Sequence, residues 1–279
     1  MKMIFNLILF AILTIVLYYC FPLLKSTFNG SDYEKVQWKK IFNIKDLHSD
    51  YVPQGIEAYD NYILFTVHKK DTKSVLIVFK KDVNKLKYLY EIDMPSEAMH
   101  TSDLCIYDNI LYAIDYHSNI IYQIDLNALL QERKLIIKSK FFLNMKRTGS
   151  LVIVEYNNEK YILFTQFIIS DKLHVIKLSD LKNGSLEKDK IQFSIKNNSL
   201  VQGLFRKNNN LYISVNRYGI DLIYVVDIQK MMKEKGIQNA ILKTINAPSK
   251  MVEDIVVYKD KIIISDEGTN YIYESYDKY

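Results

Sequence analysis

Beyond residue 35 the chain alternates short apolar runs of Ile, Val, Leu, Tyr and Phe with brief stretches of Asn, Asp, Lys and Gly. Runs of about four to eight such residues bounded by turn formers predict strands. Five segments repeat one order: a polar or small pair, an aliphatic residue, a strand, a polar turn and a second strand. They begin at Gln54-Gly55-Ile56, Ser102-Asp103-Leu104, Gly149-Ser150-Leu151, Gln202-Gly203-Leu204 and Glu253-Asp254-Ile255. Aligned on Ile56, Leu104, Leu151, Leu204 and Ile255, they are spaced by 48, 47, 53 and 51 residues. A period near 50 with about four strands per repeat predicts the blades of a β-propeller.

The ends of the chain predict how the ring closes. After Ile255 there is room for three strands, ending near Tyr273, while VQWKKIFNI (Val36 to Ile44) is a strand that precedes the first repeat. Supplying the outer strand of the last blade from this N-terminal strand would remove the exposed sheet edges. The expected fold is therefore all-β, a five-bladed β-propeller closed by an N-terminal strand. Polar inserts at Asn127 to Lys134 and Gln229 to Ala240 fall between third and fourth strands and predict short helical turns on the face opposite the repeat starts.

A different pattern opens the chain. Met3 to Leu24 carries no charge, and Lys2 and Lys25 bracket it. At about 1.5 Å per residue, a helix of this length crosses a hydrocarbon core of about 30 Å. The bulky end Tyr18-Tyr19-Cys20-Phe21-Pro22 suits an aromatic belt and resists signal processing, which favours an uncleaved signal anchor. A cleaved signal peptide and a lipidated Cys20 are the alternatives. The expected domains are a transmembrane helix at 1–25, a linker at 26–35 and the propeller at 36–279. The expected place is a single-pass membrane protein with its propeller extracytoplasmic, and its first partner is the membrane.

Composition narrows the function classes. With 49% hydrophobic residues the chain can bury a large core, so disorder is excluded as an overall description. Eight glycines and no GxGxxG or GxxxxGK[ST] exclude the common phosphate-cradling loops. The net charge of +5 is interspersed with acids rather than clustered, which argues against nucleic acid as a partner. Cys105 lies in an apolar stretch and reads as a small buried hydrophobe.

In a propeller, first-strand starts and second-strand ends meet at one mouth of the central channel. That set contains Gln54, Ser102, Asp103, Ser150, Gln202, Glu253 and Asp254 from the starts, and His68, Asp115, Tyr116, His117, Gln166, Asn216, Arg217, Asp266 and Glu267 from the ends. Such a polar concavity is the expected place for a small-molecule or protein ligand. Gln54, His68, Ser102, Asp115, His117, Gln202, Asn216, Arg217, Asp266 and Glu267 are its candidate ligand-binding residues. Ser102, Asp103 and Glu253 supply the hard oxygens that a calcium ion would take as ligands. His68, His100 and His117 are candidate acids or bases, or zinc ligands, although their spacings match no compact ligand motif. Asp266-Glu267 with Asp115 offers carboxylates in the pairing that glycoside hydrolysis uses, although turn chemistry explains the same residues.

The second repeat, SDLCIYDNILYAIDYHSNIIYQI, resembles the corresponding blade of calcium-activated nucleotidases, five-bladed propellers often carried on a signal anchor. The resemblance implies a channel calcium held at inner-strand starts, at Ser102, Asp103 and Glu253, and a calcium-dependent hydrolase as the alternative to a binding module. Where that family has Asp-Asp-Arg, this chain has Asp115-Tyr116-His117. The starts Gln54-Gly55-Ile56 and Gln202-Gly203-Leu204 are similar to those of plant-type glutaminyl cyclotransferases. Several propeller families use such starts, because a small residue lets inner strands crowd the axis.

Overall fold

The computed structural model describes residues 33–69, 72–82, 85–145, 147–166, 172–181, 184–186, 190–196, 200–217, 220–249 and 251–279; the side chains of 186, 196, 216, 217 and 220 are also outside the description. The expected membrane segment lies outside the described residues, among which no helix is long and apolar enough to cross a membrane. Lys35–Tyr279 is one compact unit.

This unit is a five-bladed β-propeller. Strand β1 (Trp38–Asn43) comes first and belongs to the last blade. The first blade is β2 (Tyr51–Tyr59), β3 (Tyr62–Lys69), β4 (Ser74–Lys81) and β5 (Leu86–Asp93), from the axis outward. The second is β6 (Thr101–Tyr107), β7 (Ile110–Asp115), β8 (Ile120–Asp125) and β9 (Ile137–Leu143). The third has β10 (Thr148–Tyr156), β11 (Glu159–Gln166) and β12 (Lys172–Lys177). Its connection then leaves for two residues as β13 (Ser185–Leu186), which pairs parallel with β9, before β14 (Phe193–Lys196) completes the blade. The fourth is β15 (Leu200–Lys207), β16 (Asn210–Arg217), β17 (Ile220–Asp227) and β18 (Ile241–Asn246). The fifth is β19 (Val252–Tyr258), β20 (Lys261–Asp266) and β21 (Tyr271–Ser275), with β1 antiparallel on its outer edge.

The unbroken apolar runs follow from the blades being covered on both faces. In β3, Ile63, Phe65 and Val67 pack into the seam with the fifth blade, while Leu64, one residue out of phase, packs into the seam with the second. Closure adds charge to this packing. Buried Glu274 of β21 pairs with Lys81 of the first blade at 2.8 Å and with Lys39 of β1 at 2.6 Å. The β13 ribbon is a departure from the sequence expectation, and it covers an otherwise open outer edge.

The two inserts are short helical turns between third and fourth strands, as expected: a π-turn at Ala128–Glu132 and helix α1 at Ile228–Glu234. Helix α1 is capped by the Asp227 carboxylate, which accepts from Lys230 N at 2.8 Å, and buries Ile228, Met231 and Met232 in the core of the neighbouring blades.

Candidate functional site

The five inner strands β2, β6, β10, β15 and β19 surround the axis, and all five break register at one place. The shifts fall between Pro53 and Ile56, Thr101 and Asp103, Thr148 and Leu151, Val201 and Gly203, and Val252 and Asp254. The recurring polar or small pair followed by an aliphatic residue is thus the signature of a β-bulge, which re-aims consecutive side chains.

The amides that follow the bulges go to two carboxylates. Asp254 accepts from Ile56 N and Ile255 N, both at 2.7 Å. Asp103 accepts from Leu104 N at 2.6 Å, from Leu151 N at 2.9 Å and from the amide of Leu204. Two fully buried side chains therefore take one amide from each of the five blades. They also hydrogen-bond to each other, with Asp254 keeping the proton. Burial pushes the Asp103 carboxyl up to about 7. Burial, and then the Asp103 charge, hold Asp254 well above the usual carboxylate range. Gly55 and Gly203 complete the ring because nothing larger fits: a Cβ would come within 2.8 Å of the Asp103 Cα at the first, and 2.0 Å of Asp254 Oδ1 at the second. Ser102 Oγ donates to Gly149 O, Ser150 Oγ to Gln202 O, and Ser265 Oγ to Gln54 O at 2.6 Å. These serine hydroxyls bind strand to strand.

Asp115 and Asp266 hold hairpin turns of one design. Asp115 Oδ1 accepts from Ser118 N at 2.7 Å and Ser118 Oγ at 2.9 Å; Asp266 Oδ1 accepts from Thr269 N and Thr269 Oγ1, both at 2.6 Å. In each turn the next residue, Asn119 or Asn270, is left-handed, with φ of 55° and 60°. Asp115 also accepts from His100 N at 2.7 Å. Both carboxylates are buried in these local networks, in different blades, rather than facing each other.

The remaining predicted residues gather at the mouth. Buried Gln54 presents its Oε1 to His100 Nε2 at 2.7 Å, and the His68 and His100 rings stack with centroids 4.5 Å apart. His117 stands 5.7 Å from His100, ring to ring, and Tyr116 meets both. Burial, with the neighbouring His68 and His117, depresses His100 to about 3, so this ring is neutral near pH 7. In the fifth blade, Glu253 is turned by its bulge onto Glu267, and the two carboxyls share a hydrogen bond in which Glu253 holds the proton. Burial, then the Glu267 charge, raise Glu253 well above the usual range.

Gln202 is half-buried in the β15 bulge, and Gln166 ends β11. Asn216 and Arg217 end β16, and their side chains are outside the description. Ser102, Asp103 and Glu253 have separate partners: a backbone carbonyl, backbone amides with Asp254, and Glu267. Among the described residues no group of three or more His, Cys, Asp or Glu is placed to hold a metal ion.

Sequence reasoning missed Asn119 and Arg147. With Tyr116 and His117 they line a recess of about 370 Å³. Arg147 directly precedes an inner strand, which was a usable signal. It shares the recess with the β7–β8 turn of the neighbouring blade, a juxtaposition that no local pattern encodes.

The fold and mouth define the class: a five-bladed propeller with a polar, histidine- and carboxyl-bearing channel mouth. No family model matches the chain, and no curated protein is similar to it in sequence. By structure it is similar to a glutaminyl cyclase from Myxococcus xanthus, with a TM-score of 0.58 and 8% identity over 88% of this chain and 97% of that one. It is also similar to MPT-4, a mannose phosphorylase from Leishmania mexicana in complex with phosphate ion, with a TM-score of 0.57 and 10% identity over 91% and 92%. The resemblance to glutaminyl cyclotransferases thus holds as a shared propeller fold.

Proposed function

We propose that this protein is a membrane-tethered, extracytoplasmic propeller that binds a small molecule or a peptide at its channel mouth. One observation carries the reading: at the mouth, polar side chains face one another, whereas at the axis Asp103 and Asp254, though bonded to each other, are committed to backbone amides of all five blades. Gln54, His68, His100 and His117 form one group, and Glu253 with Glu267 the other. Both stand on strand ends of consecutive blades held rigid by the ring. The anchor rests on the uncharged Met3 to Leu24 segment.

The calcium-dependent hydrolase reading has less support, because Asp103 and Ser102 already serve inter-blade backbone groups. A second reading, proton transfer to a bound substrate, is favoured by Glu253, which burial and Glu267 keep protonated well above the usual carboxylate range. The test is a ligand-observed NMR screen of the full chain in detergent with small amines, carboxylates and dipeptides. Hits should weaken at least about tenfold in Glu267→Gln or Gln54→Ala and remain in Glu155→Gln. Hits that survive both mouth substitutions would refute the mouth as the site.

A further inference from the structure

The recess beside the second blade has a chemistry of its own. Tyr116, His117 and Asn119 come from the turn after β7, and Arg147 from the residue before β10. The turn is rigid, since Asp115 Oδ1 accepts from His117 N at 3.1 Å as well as from Ser118. Asn119 joins the two walls: its Oδ1 accepts from Thr148 N at 3.4 Å and its Nδ2 donates to His117 O at 3.3 Å. Both ends of its side-chain amide are therefore committed to protein.

Arg147 differs from several lysines of the second and third blades. Lys138, Lys140 and Lys160 each pair with a carboxylate, at Asp125, Glu97 and Asp108. Arg147 is exposed and forms no ion pair among the described residues. A guanidinium offers a planar fork of donors that fits the two oxygens of a carboxylate or phosphate. Next to it, the Tyr116 and His117 rings meet at 82° with centroids 5.3 Å apart, so they present two perpendicular walls. A flat group can lie on one ring while its edge meets the other. The volume is at the lower end of small-molecule pockets, about 300–1,000 Å³, which suits a ligand of one ring and one oxyanion.

We propose that this recess is a subsite for a small anion bearing a flat apolar group, an aryl phosphate or aryl carboxylate, whose oxyanion is taken by Arg147 and whose ring lies against Tyr116 and His117. The subsite deepens the reading of the mouth as a ligand site and rests on it.

The test is calorimetric titration of the full chain in detergent with phenyl phosphate, benzoate and inorganic phosphate. At least one aryl anion should saturate by about 10 mM, and ringless phosphate should bind at least about tenfold more weakly. Saturation by phenyl phosphate alone assigns a phosphate ligand, and by benzoate alone a carboxylate. Arg147→Gln should weaken binding at least about tenfold, and Arg147→Lys should recover part of it, since it keeps the charge without the fork. Both substitutions are at an exposed position, and an unchanged thermal melt confirms folding. No saturation by either aryl anion, unchanged binding in Arg147→Gln, or equal binding of inorganic phosphate would overturn the subsite. If the aryl anions fail while Glu267→Gln still removes hits from the wider screen, the subsite falls and the mouth reading stands.

Discussion

Glu253 and Asp254 are neighbours in sequence and differ in nearly everything that structure gives them. Asp254 points to the axis, where it accepts two backbone amides and bonds to Asp103. Glu253, re-aimed by the bulge, reaches the mouth and finds another carboxyl, Glu267. Both carboxyls are raised by burial, so titration alone does not separate them. Their partners do. A buried polar group whose partners are backbone amides holds strands together, and removing it leaves those amides unsatisfied. A polar group whose partner is another side chain leaves the main chain intact when that pairing is exchanged for a ligand. The same division separates Asp103 from Glu267, and Asp115 from His117.

The largest effect should come from the axis. Asp103→Ala strands the amides of Leu104, Leu151 and Leu204, and at about 1–3 kcal/mol for each unsatisfied donor the loss in urea unfolding should reach about 3–9 kcal/mol. A loss under about 1 kcal/mol would show that water replaces the carboxylate and would break the contrast. Closure is next. Glu274→Ala leaves Lys81, whose side chain is 2% exposed, with a buried charge, and should cost about 3–5 kcal/mol. Lys81→Met in the same background should restore part of that loss.

A pH scan sharpens the comparison. Asp103, Asp254, Glu253 and Glu57, the last pushed to about 8 by burial between the first two blades, keep protons in the folded state that the unfolded chain releases above about pH 4. The folded state then binds more protons, so stability falls as pH rises, until these groups ionise in place. His100 has the opposite sign, because its depressed value withholds a proton that the unfolded chain binds below about pH 6.5. From about pH 6.5 to 8 the carboxyls therefore dominate, and Tm should fall. A flat or rising Tm over that window would remove the buried protons from the picture. The smallest stability effect belongs to the mouth: Glu267→Gln should change unfolding by under about 1 kcal/mol while removing ligand binding.

The sequence is most legible where a signal repeats. Ile56, Leu104, Leu151, Leu204 and Ile255 mark five blades because every inner strand meets the same crowding, and Gly55 and Gly203 stand where a Cβ does not fit. The closing strand was legible because the last repeat is one strand short. The bulge was present in the triplets but not readable as one, since a register shift is a relation between two strands. The ring of amides around Asp103 and Asp254 joins residues 48 and 198 positions apart, so no local pattern encodes it. The turns DYHSN and DEGTN carry a local pattern: Asp, then Ser or Thr, then Asn is a hairpin whose Asp Oδ1 accepts from the turn's own amide and hydroxyl. That local role gives Asp115 and Asp266 a structural task in their turns. His117 and Glu267, from the same turns, face the mouth instead.

The most direct measurement is urea unfolding of Asp254→Asn and Glu253→Gln, side by side at pH 7. Asn at 254 loses one of the two oxygens that accept Ile56 N and Ile255 N, and should cost about 1–3 kcal/mol. Gln at 253 keeps a donor for Glu267 and should stay within about 0.5 kcal/mol of the parent. Equal losses, or a larger loss at Glu253, would contradict the division between an axis that holds the ring and a mouth that serves a ligand.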